Sequence, residues 1–245
     1  MLNHIAIVEA RLESERLRAR LVRKLGTRSL LEFVVRRVTD CARVDGVVVV
    51  VGDDLDGTLA RELVPSDVEV FTSGGRDALG RFCEVLDHYQ PDGAVRVCAE
   101  NPFIDPVLID QLVISAGEGP DFDYVGFRCR DGRPAASTSL GLFGEWCRPE
   151  ALRVARQRAV ATSDREHVTS YLYSHPDDFD LRLLPAPSGL DRDDLRLTIE
   201  SEEDWEHAQV IFEALGPDEL DWQRIAGLLR GQPRLRQRMA VLNRA

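Results

Sequence analysis

This 245-residue sequence predicts an open α/β fold on a mostly parallel sheet, and three observations carry that prediction. Short Val- and Ile-rich runs alternate with longer segments of helical apolar spacing, the signature of successive β–α units. The run DGVVVVVGDD at 45–54 is apolar without alternation, as a strand covered on both faces must be. DPVLIDQLVISAGE at 105–118 opens with Asp at an N-cap and Pro at the first helical position, so a helix starts sharply there.

Taken in order, HIAIV at 4–8 reads as a strand and SLLEFVVRRVTDCA at 29–42 as a helix. The strand at 45–54 is followed by the helix LDGTLARELV at 55–64. VEVFT (68–72) and RDALGRFCEVLDHYQ (76–90) form the third unit, and DGAVRVCAE (92–100) with 105–118 the fourth. Ligands are expected beyond the carboxyl ends of such strands. The second half is less regular. DYVGF (123–127) reads as a strand, DGRPAAS (131–137) as an exposed turn or flap, and SLGLFGEWC (139–147) as extended. RPEALRVARQRA (148–159) and DREHVTSYLYSH (164–175) read as helices, DLRLLPA and LRLTI as two more strands. A helix at 201–215 begins at Ser201 with acids in its first turn. One domain with an antiparallel extension is expected, with no repeat or low-complexity linker.

Composition narrows the function. No apolar run approaches the ~18–20 residues that cross a bilayer. The four-residue apolar run near the N-terminus meets charge at once, unlike a signal peptide, so a soluble cytoplasmic protein is expected. A net charge of -11 argues against a nucleic-acid partner. Yet the first 37 residues carry nine Arg or Lys against four Glu, a local basic patch compatible with a small anionic ligand. Lys24 is the only lysine, so Schiff-base chemistry would rest on it alone. Cys41, Cys83, Cys98, Cys129 and Cys147 are widely spaced without a C-x-x-C pair and read as reduced packing residues.

Two stretches carry charge in a pattern that suggests chemistry. EARLESERLRARLVRKLG at 9–26 is open to two readings. Its arginines suit a phosphate-binding loop. Its spacing suits a helix with Ala10, Ser14, Leu17, Leu21 and Leu25 on one face and Glu13–Arg16 and Glu15–Arg18 pairs on the other. SDREHVTSYL at 163–172 puts Arg165, Glu166 and His167 within one helical turn. Such a group can clamp an anionic or hydroxylated acceptor and handle a proton, or can be a capped surface helix.

In their shared order these stretches resemble the CMP-sugar synthetase superfamily, and within it the SpsF-like spore-coat polysaccharide cytidylyltransferases, relatives of the acylneuraminate and KDO cytidylyltransferases. IVEARLESERLRAR resembles I-Q-A-R-M-x-S-x-R-L-P-G-K and retains Ala10, Arg11, Ser14, Arg16 and Leu17. Glu9, Glu13, Arg18, Ala19 and Arg20 replace Gln, Gly, Pro, Gly and Lys. FTSGGRDALGRF resembles G-S-x-D-D-V-L-x-R, and RVCAENPFIDP resembles R-I-T-G-D-x-P-L-I-D-P with Glu100 at the metal-binding Asp. SDREHVTSYL resembles E-R-E-H-V-T-P-Y-I, and LRLTIESEEDW resembles R-L-T-V-D-T-P-E-D-L with Glu200 at the acid. The tail DWQRIAGLLRGQPRLRQRMAVLN resembles the terminal helices of the SpsF-like branch.

The resemblance implies a Rossmann-like, GT-A-like nucleotidyltransferase fold, a three-layer α/β/α domain over 1–215 with a flap or dimer arm at about 128–147. A C-terminal helical extension at 216–245 and a homodimer are implied with it. The implied reaction is transfer of CMP from CTP to a sugar, sugar-acid or phosphonate acceptor, with Mg²⁺ and release of pyrophosphate. Ala10, Arg11, Ser14, Arg16 and Arg20 would bind the triphosphate, and Ser73, Gly74, Gly75, Arg76 and Asp77 the nucleotide. Glu100 and Glu200 would hold the metal, and Arg165, Glu166 and His167 the acceptor. Arg11, Arg20, Arg165 and His167 would take part in catalysis. A member that has lost or changed nucleotidyl transfer, and acts as another enzyme or as a ligand-binding or regulatory protein, is the alternative. Both metal positions carry Glu, and loss of two glycines and a proline shifts 9–26 toward helix by about 4–5 kcal/mol.

Overall fold

The computed structural model describes residues 3–12, 14–52, 54–119 and 121–244. Glu13, and with it the Glu13–Arg16 pair, lies outside the described residues. In chain order the first half comprises β1 (His4–Glu9), α1 (Glu15–Val22), β2 (Lys24–Leu25), β3 (Arg28–Ser29), α2 (Leu30–Thr39), β4 (Gly46–Val51), α3 (Asp54–Leu63), β5 (Glu69–Thr72), α4 (Ala78–Tyr89), β6 (Gly93–Cys98) and α5 (Pro106–Ala116). The second half comprises β7 (Tyr124–Arg128), β8 (Glu145–Cys147), α6 (Pro149–Arg158), α7 (Thr162–Glu166), α8 (Ser170–Ser174), β9 (Leu181–Pro185), α9 (Glu202–Leu215), α10 (Trp222–Arg230) and α11 (Pro233–Leu242).

The main sheet has seven strands in the order β5-β4-β1-β6-β8-β7-β9. β8 is antiparallel to both neighbours, and the remaining pairings are parallel, as the unbroken Val run of β4 predicts for a sheet buried on both faces. Alternate residues divide between two cores. Ala6, Val8, Val49, Val51, Val95 and Val97 pack under α2, α5 and α9, whereas Ile5, Ile7, Val48, Val50 and Ala94 pack under α4, α6 and α8. β2 and β3 form a separate antiparallel hairpin.

Residues 128–147 lie down on the first core through Cys129, Ala135, Leu140, Leu142 and Phe143 before ending in β8. α10 and α11 add Ile225, Leu229 and Met239 to the same core. The Asp105 side chain both caps α5 and accepts from the Trp222 amide at 2.8 Å. No helix among the described residues is long and apolar enough to cross a membrane.

Three local expectations change. The helix expected over 164–175 breaks at His167–Thr169, because Val168 and Thr169 turn fully inward and the Thr169 hydroxyl donates to Glu145 at 2.7 Å. LRLTI at 195–199 has buried alternation but no strand partner. Its Leu197 amide instead donates to Ser139 O at 2.8 Å and its Ile199 amide to Glu100 O at 2.9 Å. The stretch at 9–26 is neither all loop nor all helix: Ala10–Leu12 leave β1 without regular structure, and α1 starts only after Ser14.

Candidate active site

A cavity of about 450 Å³ opens beyond the carboxyl ends of β1 and β6, where an α/β sheet places its ligands. Its floor is a buried charge network. Glu9 ends β1, Arg96 and Cys98 share one face of β6, and Glu145 begins β8 directly opposite Arg96 in the register. Arg96 donates to one oxygen of Glu9 from Nη2 at 3.0 Å and Nε at 3.2 Å, and to Glu145 from Nη1 at 2.9 Å. The other Glu145 oxygen accepts from the Tyr124 hydroxyl at 2.8 Å and the Thr169 hydroxyl at 2.7 Å. Burial pulls the Arg96 pKa down, but the two carboxylates outweigh it and hold the guanidinium well above its ordinary value. Burial, together with Glu145, pushes the Tyr124 phenol well up, so it stays a donor.

Two acceptors in this floor are left over. Glu9 Oε1 and Asn101 Oδ1 are buried with no hydrogen-bond partner, and both residues line the cavity. Beside them the Cys98 thiol donates to Glu100 Oε2 at 2.9 Å. Burial raises the Glu100 carboxyl pKa, opposed by that hydrogen bond and by the nearby Arg11 charge.

The side wall comes from distant sequence. The Ile199 amide on the Glu100 carbonyl brings Glu200 beside β6, so both sequence-predicted metal carboxylates face one cavity. Glu200 is positioned by its own neighbours. Ser201 and Asp204 form a capping box at α9, Asp204 accepts from the Glu200 amide at 3.0 Å, and Arg196 spans Asp204 at 2.8 Å and the Glu200 carboxylate at 2.7 Å. Arg16 and Arg20 of α1 both donate to the Glu200 carbonyl, and Arg23 pairs with Glu202 at 2.6 Å. The basic face of the opening stretch is thus bound to the start of α9.

Of the residues nominated from the sequence, Arg11, Arg20, Glu100, Glu166, His167 and Glu200 line this one cavity. The other predicted residues lie outside its lining. Ala10 is buried in the core. The Ser14 side chain caps α1 by accepting from Leu17 N. Ser73 donates to Glu84 at 2.6 Å and accepts from the Gly75 amide at 3.0 Å. Gly74 and Arg76 belong to the same turn. Asp77 caps α4, and its second oxygen accepts from Arg165 Nε at 2.7 Å, while Arg165 Nη1 reaches the Ala159 carbonyl at 3.1 Å. Arg165 thus joins two predicted segments to each other and is turned from the cavity.

Sequence reasoning missed Arg96, Asn101, Glu145 and Thr169, and read Glu9 only as a substitution. A signal existed: Arg96 and Glu145 are charges inside otherwise apolar extended runs, which calls for a buried partner. Among the described residues no group of three or more His, Cys, Asp or Glu could hold a metal by itself. Two carboxylates facing one cavity do fit Mg²⁺, which takes its remaining oxygens from phosphates and water.

Comparison with known proteins bears on the family and the fold. Residues 5–222 match the family described as cytidylyltransferase. The chain is 29% identical over 217 residues, 86% of each protein, to the spore coat polysaccharide biosynthesis protein SpsF of Bacillus subtilis. A cytidylyltransferase structure from Leptospira borgpetersenii superposes with a TM-score of 0.83 at 20% identity, covering 97% of this chain and 98% of that one. A CMP:2-keto-3-deoxy-manno-octonic acid synthetase complexed with CTP gives 0.66 at 12% identity, covering 86% and 98%.

Proposed function

The chain belongs to the cytidylyltransferase family, and from that premise we propose that it transfers CMP from CTP to an oxygen of a sugar-like acceptor, releasing pyrophosphate. The observation that carries this reading is the convergence of Arg11 and Arg20 with Glu100 and Glu200 on one cavity, from segments nearly 200 residues apart. In the reaction an acceptor oxygen forms a bond to the α-phosphorus while the bond to the β-phosphate oxygen breaks. Arg11 and Arg20 offset the charge that develops on the leaving pyrophosphate. His167 sits at the rim where it can take the acceptor proton. Glu100 and Glu200 would hold Mg²⁺, which supplies charge neutralisation across the phosphates. Arg196 and Asp204 keep the Glu200 carboxylate in place, so they position rather than react.

One observation favours the competing reading, a ligand-binding protein without transfer: both carboxylates are already engaged, Glu100 by the Cys98 thiol and Glu200 by Arg196. Calorimetric titration of CTP with and without Mg²⁺ separates the two. Saturable CTP binding that strengthens with Mg²⁺ supports transfer, whereas Mg²⁺-independent binding supports the binding protein. No heat with CTP at all sinks the nucleotide site.

A further inference from the structure

We propose that Arg165 and Thr169 are positioning residues that present His167 at the cavity rim, each tying one side of the segment around it to a carboxylate on another element. This rests on the transfer reading above, in which His167 takes the acceptor proton, and adds what holds the imidazole there. Left to itself, DREHVTSYLYSH has the spacing of one continuous helix. In the fold it is divided into α7 and α8, with His167 between them at φ -113 and ψ 93. A helix run on through His167 would replace those angles with about -63 and -42 and aim the ring elsewhere. The break is therefore held by contacts outside the segment.

Two such contacts flank the histidine. Before it, Arg165 donates from Nε to Asp77 at 2.7 Å and from Nη1 to the Ala159 carbonyl at 3.1 Å, joining α7 to the start of α4 and the end of α6. After it, the Thr169 hydroxyl donates to Glu145 Oε1 at 2.7 Å. Glu145 is 2% exposed and is fixed in turn by Arg96 at 2.9 Å and by the Tyr124 hydroxyl at 2.8 Å, so this anchor is built into the sheet. Val168 is fully buried in the core beneath α4, α6 and α8. His167 alone of this stretch is exposed, and it lines the cavity. A general base has to stand within hydrogen-bond reach of the proton it takes, and a displacement of about 1 Å can cost about a hundred-fold in rate. Arg165, which faces away from the cavity, thus serves the site through its neighbour.

The test is a double-mutant cycle read by pyrophosphate release with CTP and Mg²⁺, using the best acceptor from a panel of sugars, sugar acids and phosphonates. His167→Ala should lower kcat by about a hundred-fold or more. Thr169→Val removes only the hydroxyl donor and should lower kcat by about ten- to a hundred-fold, with CTP affinity by calorimetry changed less than about two-fold. Thr169→Ser should restore kcat. Arg165→Met approaches the same segment from its other side and should act like Thr169→Val. In the His167→Ala background neither substitution should lower kcat further. The position of the ring is also followed without turnover: the His167 signal in histidine NMR spectra, assigned by its loss in His167→Ala, should shift in Thr169→Val and return in Thr169→Ser. Equal losses with and without His167 would overturn the proposal in an enzyme that otherwise turns over. So would an unmoved His167 signal, or a loss of CTP affinity as large as the loss in kcat. Parent protein that binds no CTP, or releases no pyrophosphate with any acceptor, would overturn the transfer reading and this role with it.

Discussion

The Arg96 guanidinium donates from Nη1 to the Glu145 carboxylate at 2.9 Å, joining β6 to β8, the strand that runs antiparallel to both of its neighbours. Its Nη2 holds Glu9 at 3.0 Å on the other side. Removing the cation leaves two buried carboxylates uncompensated, which costs more than the pair itself contributes. Arg96→Met is expected to lose about 3–5 kcal/mol of stability in urea unfolding at pH 7. The triple variant with Glu9→Gln and Glu145→Gln should recover most of it, because no unpaired charge is then left inside.

Glu100 and Glu200 are held side by side through a backbone hydrogen bond, so substitution at either can be read without rebuilding the other. Glu100→Gln and Glu200→Gln should each reduce the Mg²⁺-dependent part of CTP binding by about ten- to a hundred-fold, the worth of one charged contact. Metal-free CTP binding should change little, or tighten as repulsion with the triphosphate falls. Calorimetry at zero and saturating Mg²⁺ measures both terms. Equal losses in the two conditions would place these residues in the fold and not at a metal.

Much of the fold was legible because its elements obey local rules. The Val run of β4, the Asp105–Pro106 start of α5 and the Ser201 cap of α9 each announce themselves. The breaks were not legible, since tertiary contacts made them. Thr169 leaves the helix to reach Glu145, and LRLTI gives up strand pairing to meet Ser139 and Glu100. The same holds for the site. Charges placed by a motif could be named in advance. The Glu9–Arg96–Glu145 floor could not, because its partners are 87 and 49 residues apart and meet only through sheet register. Arg165 shows the limit of a matched motif: the residue type is retained while its side chain turns to Asp77.

His207 gives the protein a pH-dependent term away from the cavity. It is 1% exposed and neither ring nitrogen has a partner. Burial lowers its pKa below the ordinary 6.5, with Arg238 adding to the shift and Asp204, Glu203 and Glu206 opposing it. Below pH 6.5 the unfolded chain takes up a proton that the folded chain refuses. The stability contributed by the neutral imidazole is therefore fully present above 6.5 and lost as pH falls below it. His4, lowered chiefly by burial, acts in the same direction. The melting temperature should fall between pH 7.5 and 5.5, and His207→Leu should flatten part of that slope. A variant slope equal to that of the parent protein would remove His207 as its source.

Gly141 is where a backbone contact far from the chemistry sets the position of Glu200. Its φ is +66, and a Cβ built there would lie 2.6 Å from the Thr198 nitrogen and 2.7 Å from the Leu197 carbonyl carbon. Both obstacles are backbone, so neither can swing aside as a side-chain tip could. Gly141→Ala therefore adds two costs, about 1–2 kcal/mol for the left-handed conformation and about 1–3 kcal/mol for displacing the packed segment. Movement of 197–198 carries Ile199 from the Glu100 carbonyl and Glu200 with it. Gly132→Ala is the control, because its φ of +89 brings the conformational cost while nothing stands within 4 Å of the added Cβ. Gly141→Ala should lower stability by about 2–5 kcal/mol and reduce Mg²⁺-dependent CTP binding in the protein that remains folded. Gly132→Ala should lower stability by about 1–2 kcal/mol and leave the Mg²⁺ dependence as it was. Equal effects of the two on Mg²⁺ dependence would show that the Gly141 contact does not position Glu200.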